Sequence, residues 1–83
     1  MYTKNVTIGR TLDFTFQPEA LFIQKANEYN SEIWIEKEDR KANAKSLLGV
    51  LSLGLTAGCV LKISAEGEDE VSAVESLEQL VIA

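Results

Sequence analysis

Apolar residues alternate with polar ones along four stretches of the chain and recur with helical spacing along three others. Alternation places successive side chains on opposite faces of a strand, whereas the longer period gathers apolar side chains on one side of a helix. The pattern therefore predicts strands at 2–8, 32–37, 41–44 and 59–65, and helices at 19–29, within 45–54 and from just after Asp69 to about residue 81.

The order of these elements is β-α-β-β-α-β-α, and each strand has one apolar face. The simplest packing is an antiparallel sheet whose apolar face is covered by the helices while the other face meets solvent. We therefore predict an α+β fold formed by one domain that spans residues 1–83. A plain ferredoxin-like fold is the main alternative, and the third helix argues against it.

The predicted second helix lies in the segment KSLLGVLSLG, residues 45–54, and has apolar residues on two sides. Its apolar residues divide into two groups: Leu47, Leu48 and Leu51 on one side, and Val50 and Leu53 on roughly the opposite side. Ser46 stands where a helix N-cap is expected, and its hydroxyl would accept a hydrogen bond from a free amide of the first turn, worth about 1 kcal/mol. The segment is too short for a core helix, so we expect the three leucines to face outward.

Composition and charge exclude several classes of function. The 83 residues carry 8 basic and 13 acidic side chains, a net charge of -5, and no histidine. Nucleic-acid binding depends on Lys and Arg that neutralise phosphates, so we do not expect it. Histidine, the commonest general base and metal ligand, is therefore not available. Cys59 has the surroundings of a small core residue. The sequence therefore predicts neither an enzyme nor a metal or cofactor.

The sequence also gives no sign of a membrane. No apolar run approaches the roughly 20 residues that span a bilayer. The N-terminal MYTKNVTIGR lacks the apolar stretch of a signal peptide. We therefore expect a cytoplasmic protein.

Three segments resemble HPr, the phosphocarrier of the bacterial sugar phosphotransferase system. KSLLGVLSLG is similar to the regulatory-serine segment of that family, Pro18–Ala20 falls where the family's first helix begins, and Gly67–Glu70 falls where its last helix begins. The resemblance covers almost the whole chain. It implies an open-faced sandwich with a four-stranded antiparallel sheet and three helices on one face.

The chain departs from this family at the phosphate-carrying loop. HPr bears its phosphate on the histidine of a Gly-x-His-Ala-Arg-Pro loop, and the matching segment here is DFTFQP. Thr15 occupies the histidine position, Gln17 the arginine position and Asp13 the glycine position. A threonine phosphate is a stable ester, and Gln17 has no guanidinium with which to bind a phosphate bidentately. The resemblance therefore implies a member without histidine phosphotransfer, similar to the Crh proteins.

The same resemblance implies a regulatory role through protein contacts in carbon catabolite control. Ser46 would be phosphorylated by an HPr kinase/phosphorylase, and a LacI-type catabolite repressor would be a second partner. The leucines Leu47, Leu48 and Leu51 occupy the place of the family's docking patch, which Phe14 and Phe16 would extend. In the alternative interpretation, the leucines pack against the two phenylalanines and contact no partner.

Two other hypotheses remain open. One is a phosphoryl carrier that uses Thr15, Asp13 or Glu19 as the acceptor. The other is an interaction module with an unrelated partner, for which an outward Trp34 on the open sheet face is the main evidence. An exposed Trp34 would otherwise lie along Lys62 in a cation–π contact. Because Val60 is expected on the same face, a weak homodimer through Trp34 and Val60 also remains open.

Overall fold

Four strands and three helices follow one another in the predicted order. The structure, a computed structural model, describes residues 1–9 and 18–82. The elements are β1 Tyr2–Thr7, α1 Pro18–Asn27, β2 Glu32–Lys37, β3 Arg40–Asn43, α2 Leu47–Leu53, β4 Val60–Glu66 and α3 Glu70–Ile82. Each strand boundary lies within one residue of its predicted position. Among the described helices, none is long and apolar enough to cross a membrane.

The strands form one sheet in the order β1-β4-β2-β3, and all neighbouring strands are antiparallel. In the two central strands, Ile35 pairs with Ile63, and both side chains are fully buried. The helices form the second layer: α3 packs on β1 and β4, α2 on β3, and α1 on α2 and α3. The predicted antiparallel sheet with helices on one face is therefore confirmed.

The core lies between the sheet and the helix layer. The sheet and the residues at its ends contribute Val6, Ile8, Ile33, Ile35, Ala44, Leu61, Ile63 and Ala65, and the helices contribute Phe22, Ala26, Val50, Leu53, Ala73, Val74, Leu77 and Val81. Cys59 packs against this core but is only half-buried. It precedes β4, and its sulfur lies 3.1 Å from the Thr56 hydroxyl.

Asp69 ties the start of α3 to the loop between α1 and β2. It occupies the residue before the helix, which is the N-cap position, and its carbonyl accepts the Ala73 amide at 2.9 Å. Its carboxylate, however, is directed to the neighbouring loop. It accepts the amide of Asn30 at 2.8 Å, the amide of Ser31 at 2.9 Å and the Ser31 hydroxyl.

The close approach of this loop explains the glycine that precedes α3. A Cβ on Gly67 would lie only 2.8 Å from the Cα of Ser31, which is itself buried. The hydrogen bonds from Ser31 and from the Asn30 amide lower the pKa of Asp69 below its ordinary value. The charged carboxylate therefore stabilises the fold.

We expect Asp69→Asn to remove a stabilising contribution that depends on pH. Because the pKa of Asp69 is lowered on folding, this contribution is fully present above the pKa of an unfolded aspartate, about 3.9, and is lost as pH falls through the lower folded pKa. The Tm of Asp69→Asn should therefore lie below that of the unsubstituted protein at neutral pH, and the gap should narrow in acid.

The matched control is Asp39→Asn, which removes the same charge from the exposed turn between β2 and β3. Thermal denaturation of both variants over an acid-to-neutral pH series checks the prediction. An Asp69→Asn protein that follows the Asp39→Asn control at every pH would show that the carboxylate contributes nothing specific.

Candidate functional site

The N-terminus of α2 is formed by Ser46. Its backbone is extended, with φ of -103° and ψ of 118°, and its hydroxyl oxygen accepts the Gly49 amide at 3.2 Å. Its carbonyl accepts the Val50 amide at 2.9 Å, which begins the helical hydrogen bonds. Ser46 is therefore the N-cap of α2, and the residue is half-buried.

One side of α2 is anchored in the core and the other is open to solvent. Val50 is fully buried and Leu53 is 5% exposed. Burial of side chains of this size stabilises the fold by about 1.5–3 kcal/mol each. On the opposite side, Leu48 is 79% exposed, Leu47 is 51% exposed and Leu51 is 37% exposed. We call these three residues the leucine patch.

The helix lies close against the edge strand β3. A Cβ at Gly49 would lie 3.2 Å from the Cβ of Ala42 and 3.5 Å from the carbonyl oxygen of Asn43. Ser46 adds a bond from its own amide to that carbonyl, at 3.1 Å. Glycine at this position therefore lets the first turn of α2 sit directly on β3, with the leucine patch on the far side.

Two lysines outside α2 hold its ends. The Lys45 ammonium donates to the carbonyl of Tyr29 at 2.8 Å, which connects the start of α2 to the chain after α1. The Lys37 ammonium donates to the carbonyls of Leu53 and Gly54 at the other end. Neither lysine contact was predicted from the sequence, although alternation along β2 puts Lys37 on the same side as the buried Ile33 and Ile35.

The loop residues at which this sequence differs from HPr lie outside the described residues. This holds for Asp13, Phe14, Thr15, Phe16 and Gln17. Whether the two phenylalanines adjoin the leucine patch therefore stays a prediction. Among the described elements, α1 contacts α2 and has an exposed leucine of its own, Leu21, at 49%.

Trp34 lies on the open face of the sheet, but the expected contact with Lys62 is wrong. The ring has the Lys41 ammonium above it, 5.3 Å from the centroid. Lys62 is directly opposite Glu36 on the neighbouring strand and approaches its carboxylate at 3.9 Å. Glu36 lies directly opposite both lysines, Lys41 on β3 and Lys62 on β4, so the strand register alone does not determine which lysine lies over the ring.

Within the described residues, the candidate site consists of an exposed apolar surface and a serine hydroxyl. Among residues 1–9 and 18–82, no three His, Cys, Asp or Glu side chains are placed to hold a metal ion. The feature that combines chemistry with an exposed surface is the Ser46 hydroxyl, which lies at the start of the helix that bears the leucine patch.

Comparison with known proteins gives a consistent result. The family model described as "PTS HPr component phosphorylation site" matches residues 2–83. The HPr-like protein Crh of Bacillus subtilis is 43% identical over 81 residues, which cover 98% of this chain and 95% of that protein.

Solved structures show the same relationship. HPr-C-His from Thermoanaerobacter tengcongensis has a TM-score of 0.90 and 42% identity, and the match covers 98% of this chain and 91% of that one. The crystal structure of Crh from Bacillus subtilis, described as a dimer with a swapped domain, has a TM-score of 0.73 and 36% identity, with 96% of this chain and 92% of that one covered. The shared fold and the match over nearly the whole sequence establish that this chain belongs to the PTS HPr family.

Proposed function

We propose that this protein is a regulatory member of its family, which acts by binding other proteins and does not pass on a phosphoryl group. The observation that carries the proposal is the pairing of the Ser46 hydroxyl with the exposed leucine patch on one short helix. The absence of histidine from the sequence removes the residue on which HPr carries phosphate. The similarity to Crh supports the same conclusion.

Ser46 is the proposed regulatory residue. Phosphorylation adds about -1.5 to -2 charges, and the first turn of a helix favours negative charge. The Ser46 side chain is half-buried and bonds to a single amide of its own helix, so the modified residue needs little rearrangement. The new charge would lie next to Leu47 and within one helical turn of Leu48.

The leucine patch is the proposed docking surface. A contiguous apolar surface that stays in solvent is typical of a protein contact. Val50 and Leu53 already fill the core side of α2, so the three leucines are not needed to pack the helix against the core. A charge at the edge of such a surface changes which partners bind. Ser46 and the leucine patch would therefore act together as one switch.

The proposed partners are an HPr kinase/phosphorylase, which would modify Ser46, and a LacI-type catabolite repressor, which would bind the modified protein. These partners fit a cytoplasmic protein in carbon catabolite control. Support comes from the relative Crh, which is described as a catabolite repression protein.

Association of two copies is a further part of the proposal. The Crh crystal structure is described as a dimer. On this chain, Val60 is 57% exposed and lies on the same open sheet face as Trp34, so this face offers an apolar surface away from α2.

We expect the unmodified protein to accept no acid-labile phosphate from phosphoenolpyruvate and the first enzyme of the phosphotransferase system. It should also fail to restore sugar uptake in cells that lack HPr. Thr15→His alone should recover little, because Gln17 and Asp13 also disfavour a bound phosphate, and adding Gln17→Arg and Asp13→Gly should recover more. Rescue of uptake by the unmodified protein would refute the proposal. Acid-labile phosphate would favour a carrier that uses Asp13 or Glu19, because a phosphate on Thr15 would be a stable ester.

Incubation with an HPr kinase/phosphorylase and ATP should add one phosphate per chain, and Ser46→Ala should abolish this. Loss of the cap should lower the free energy of unfolding of Ser46→Ala by about 1 kcal/mol. Ser52→Ala is the matched control, since its hydroxyl lies on the same helix and donates to the Gly49 carbonyl at 2.8 Å. Mass spectrometry of the intact chains gives the readout, and phosphate that persists in Ser46→Ala would exclude this residue as the target.

The leucine patch is tested by making the same leucine-to-alanine change on the exposed side and on the buried side of α2. Leu48→Ala should leave the free energy of unfolding nearly unchanged and weaken repressor binding by about 1–2 kcal/mol if Leu48 is an anchor. Leu53→Ala, the same change on the buried side, should cost about 2–5 kcal/mol of stability.

Denaturant titration gives the free energy of unfolding, and titration calorimetry gives the free energy of repressor binding. Sedimentation establishes the oligomeric state in both measurements. A loss of about 3 kcal/mol of stability in Leu48→Ala would mean that this leucine is packed, and the docking surface would then lie elsewhere.

A further inference from the structure

The C-terminal end of α2 is held by a residue that belongs to the sheet. Lys37 is the last residue of β2, and its partly buried ammonium donates to the carbonyl of Leu53 at 3.2 Å and to the carbonyl of Gly54 at 2.6 Å. Ile33 and Ile35 of the same strand point into the core. By the alternation of a strand, Lys37 leaves β2 on that same side and reaches the helix layer.

Several features make this contact important for α2. The helix has only seven residues, and its last turn contains no basic residue. Helices of this length are marginal in isolation, and the last four carbonyls of any helix lack partners within it. Gly54 then ends the helix in the left-handed conformation, with φ of 69°. A cation at this point satisfies two carbonyls and complements the negative end of the helix dipole.

The two ends of α2 are fixed by different groups. Ser46 and Lys45 hold the first turn, through the Gly49 amide and the Tyr29 carbonyl. At the other end, Lys37 is the side chain that the structure shows bonded to the terminal carbonyls. Loss of the Lys37 contact would therefore loosen the last turn while the N-cap stays in place.

We propose that Lys37 is a positioning residue for the docking surface. It fixes the last turn of α2 against the sheet, and so holds the leucine patch in one orientation for a partner. Lys37 acts through the helix and not by touching the partner. The part of this inference that concerns binding rests on the proposed function, whereas the part that concerns the helix does not.

Hydrogen exchange of the backbone amides tests the helix part without any partner. In Lys37→Met, the amides of 50–53 should exchange about tenfold faster, as expected for the loss of a charge-assisted hydrogen bond. Amides of β4 and α3 should change much less. Lys37→Arg keeps a cationic donor and should restore most of the protection.

The matched control is Lys62→Met. It removes the same charge from the adjacent strand, where Lys62 is half-exposed beside Glu36 and lies on the open face of the sheet, opposite the side that faces the core. This control should leave exchange in 50–53 unchanged. Unaltered exchange in Lys37→Met, or an equal acceleration in α2, β4 and α3, would overturn the proposal, because the lysine would then be dispensable or only a contributor to global stability.

Binding of the Ser46-phosphorylated variants to a LacI-type repressor tests the second part. Lys37→Met should bind several-fold more weakly than the unsubstituted protein, mainly through faster dissociation, and Lys62→Met should bind as the unsubstituted protein does. Equal binding by Lys37→Met and the control would overturn the positioning role. If the unsubstituted protein does not bind the repressor at all, the proposed function fails, and the exchange experiment still decides the role of Lys37.

Discussion

The seven-residue helix α2 buries one side only, and this packing determines the surface that the helix presents to solvent. Val50 and Leu53 are buried in the core, and their burial anchors α2. The same anchoring directs Leu47, Leu48 and Leu51 away from the core. The exposed leucines are thus a direct result of how the helix is packed, and the fold maintains an apolar surface that it does not use itself.

The polar groups around α2 stabilise this arrangement. Ser46 satisfies one amide of the first turn, Lys37 satisfies two carbonyls of the last turn, and Gly49 permits the close approach to β3. These contacts leave the leucine patch untouched. The proposed phosphate on Ser46 would therefore add charge beside the patch without removing the packing that holds the helix.

Much of this was predictable from the sequence, because it depends on local periodicity. Alternation located every strand to within one residue, and the spacing of apolar residues separated the buried and exposed sides of α2. The errors concern contacts between residues far apart in the chain. Trp34 has a lysine diagonally placed on each neighbouring strand, and Glu36 lies directly opposite both, so the strand pattern does not predict which lysine lies over the ring. The direction of the Asp69 carboxylate depends likewise on the loop that contains Ser31, 38 residues away.

The central claim is that the charge on Ser46 and the leucine patch act as one unit. A double-mutant cycle tests it most directly, with repressor affinity measured for the unsubstituted protein and for Leu48→Ala, each with and without phosphate on Ser46. If the two act together, the four free energies of binding should deviate from additivity by more than about 0.5 kcal/mol. Effects that add within about 0.3 kcal/mol would show two independent sites, and would contradict the account of Ser46 as a switch for this surface.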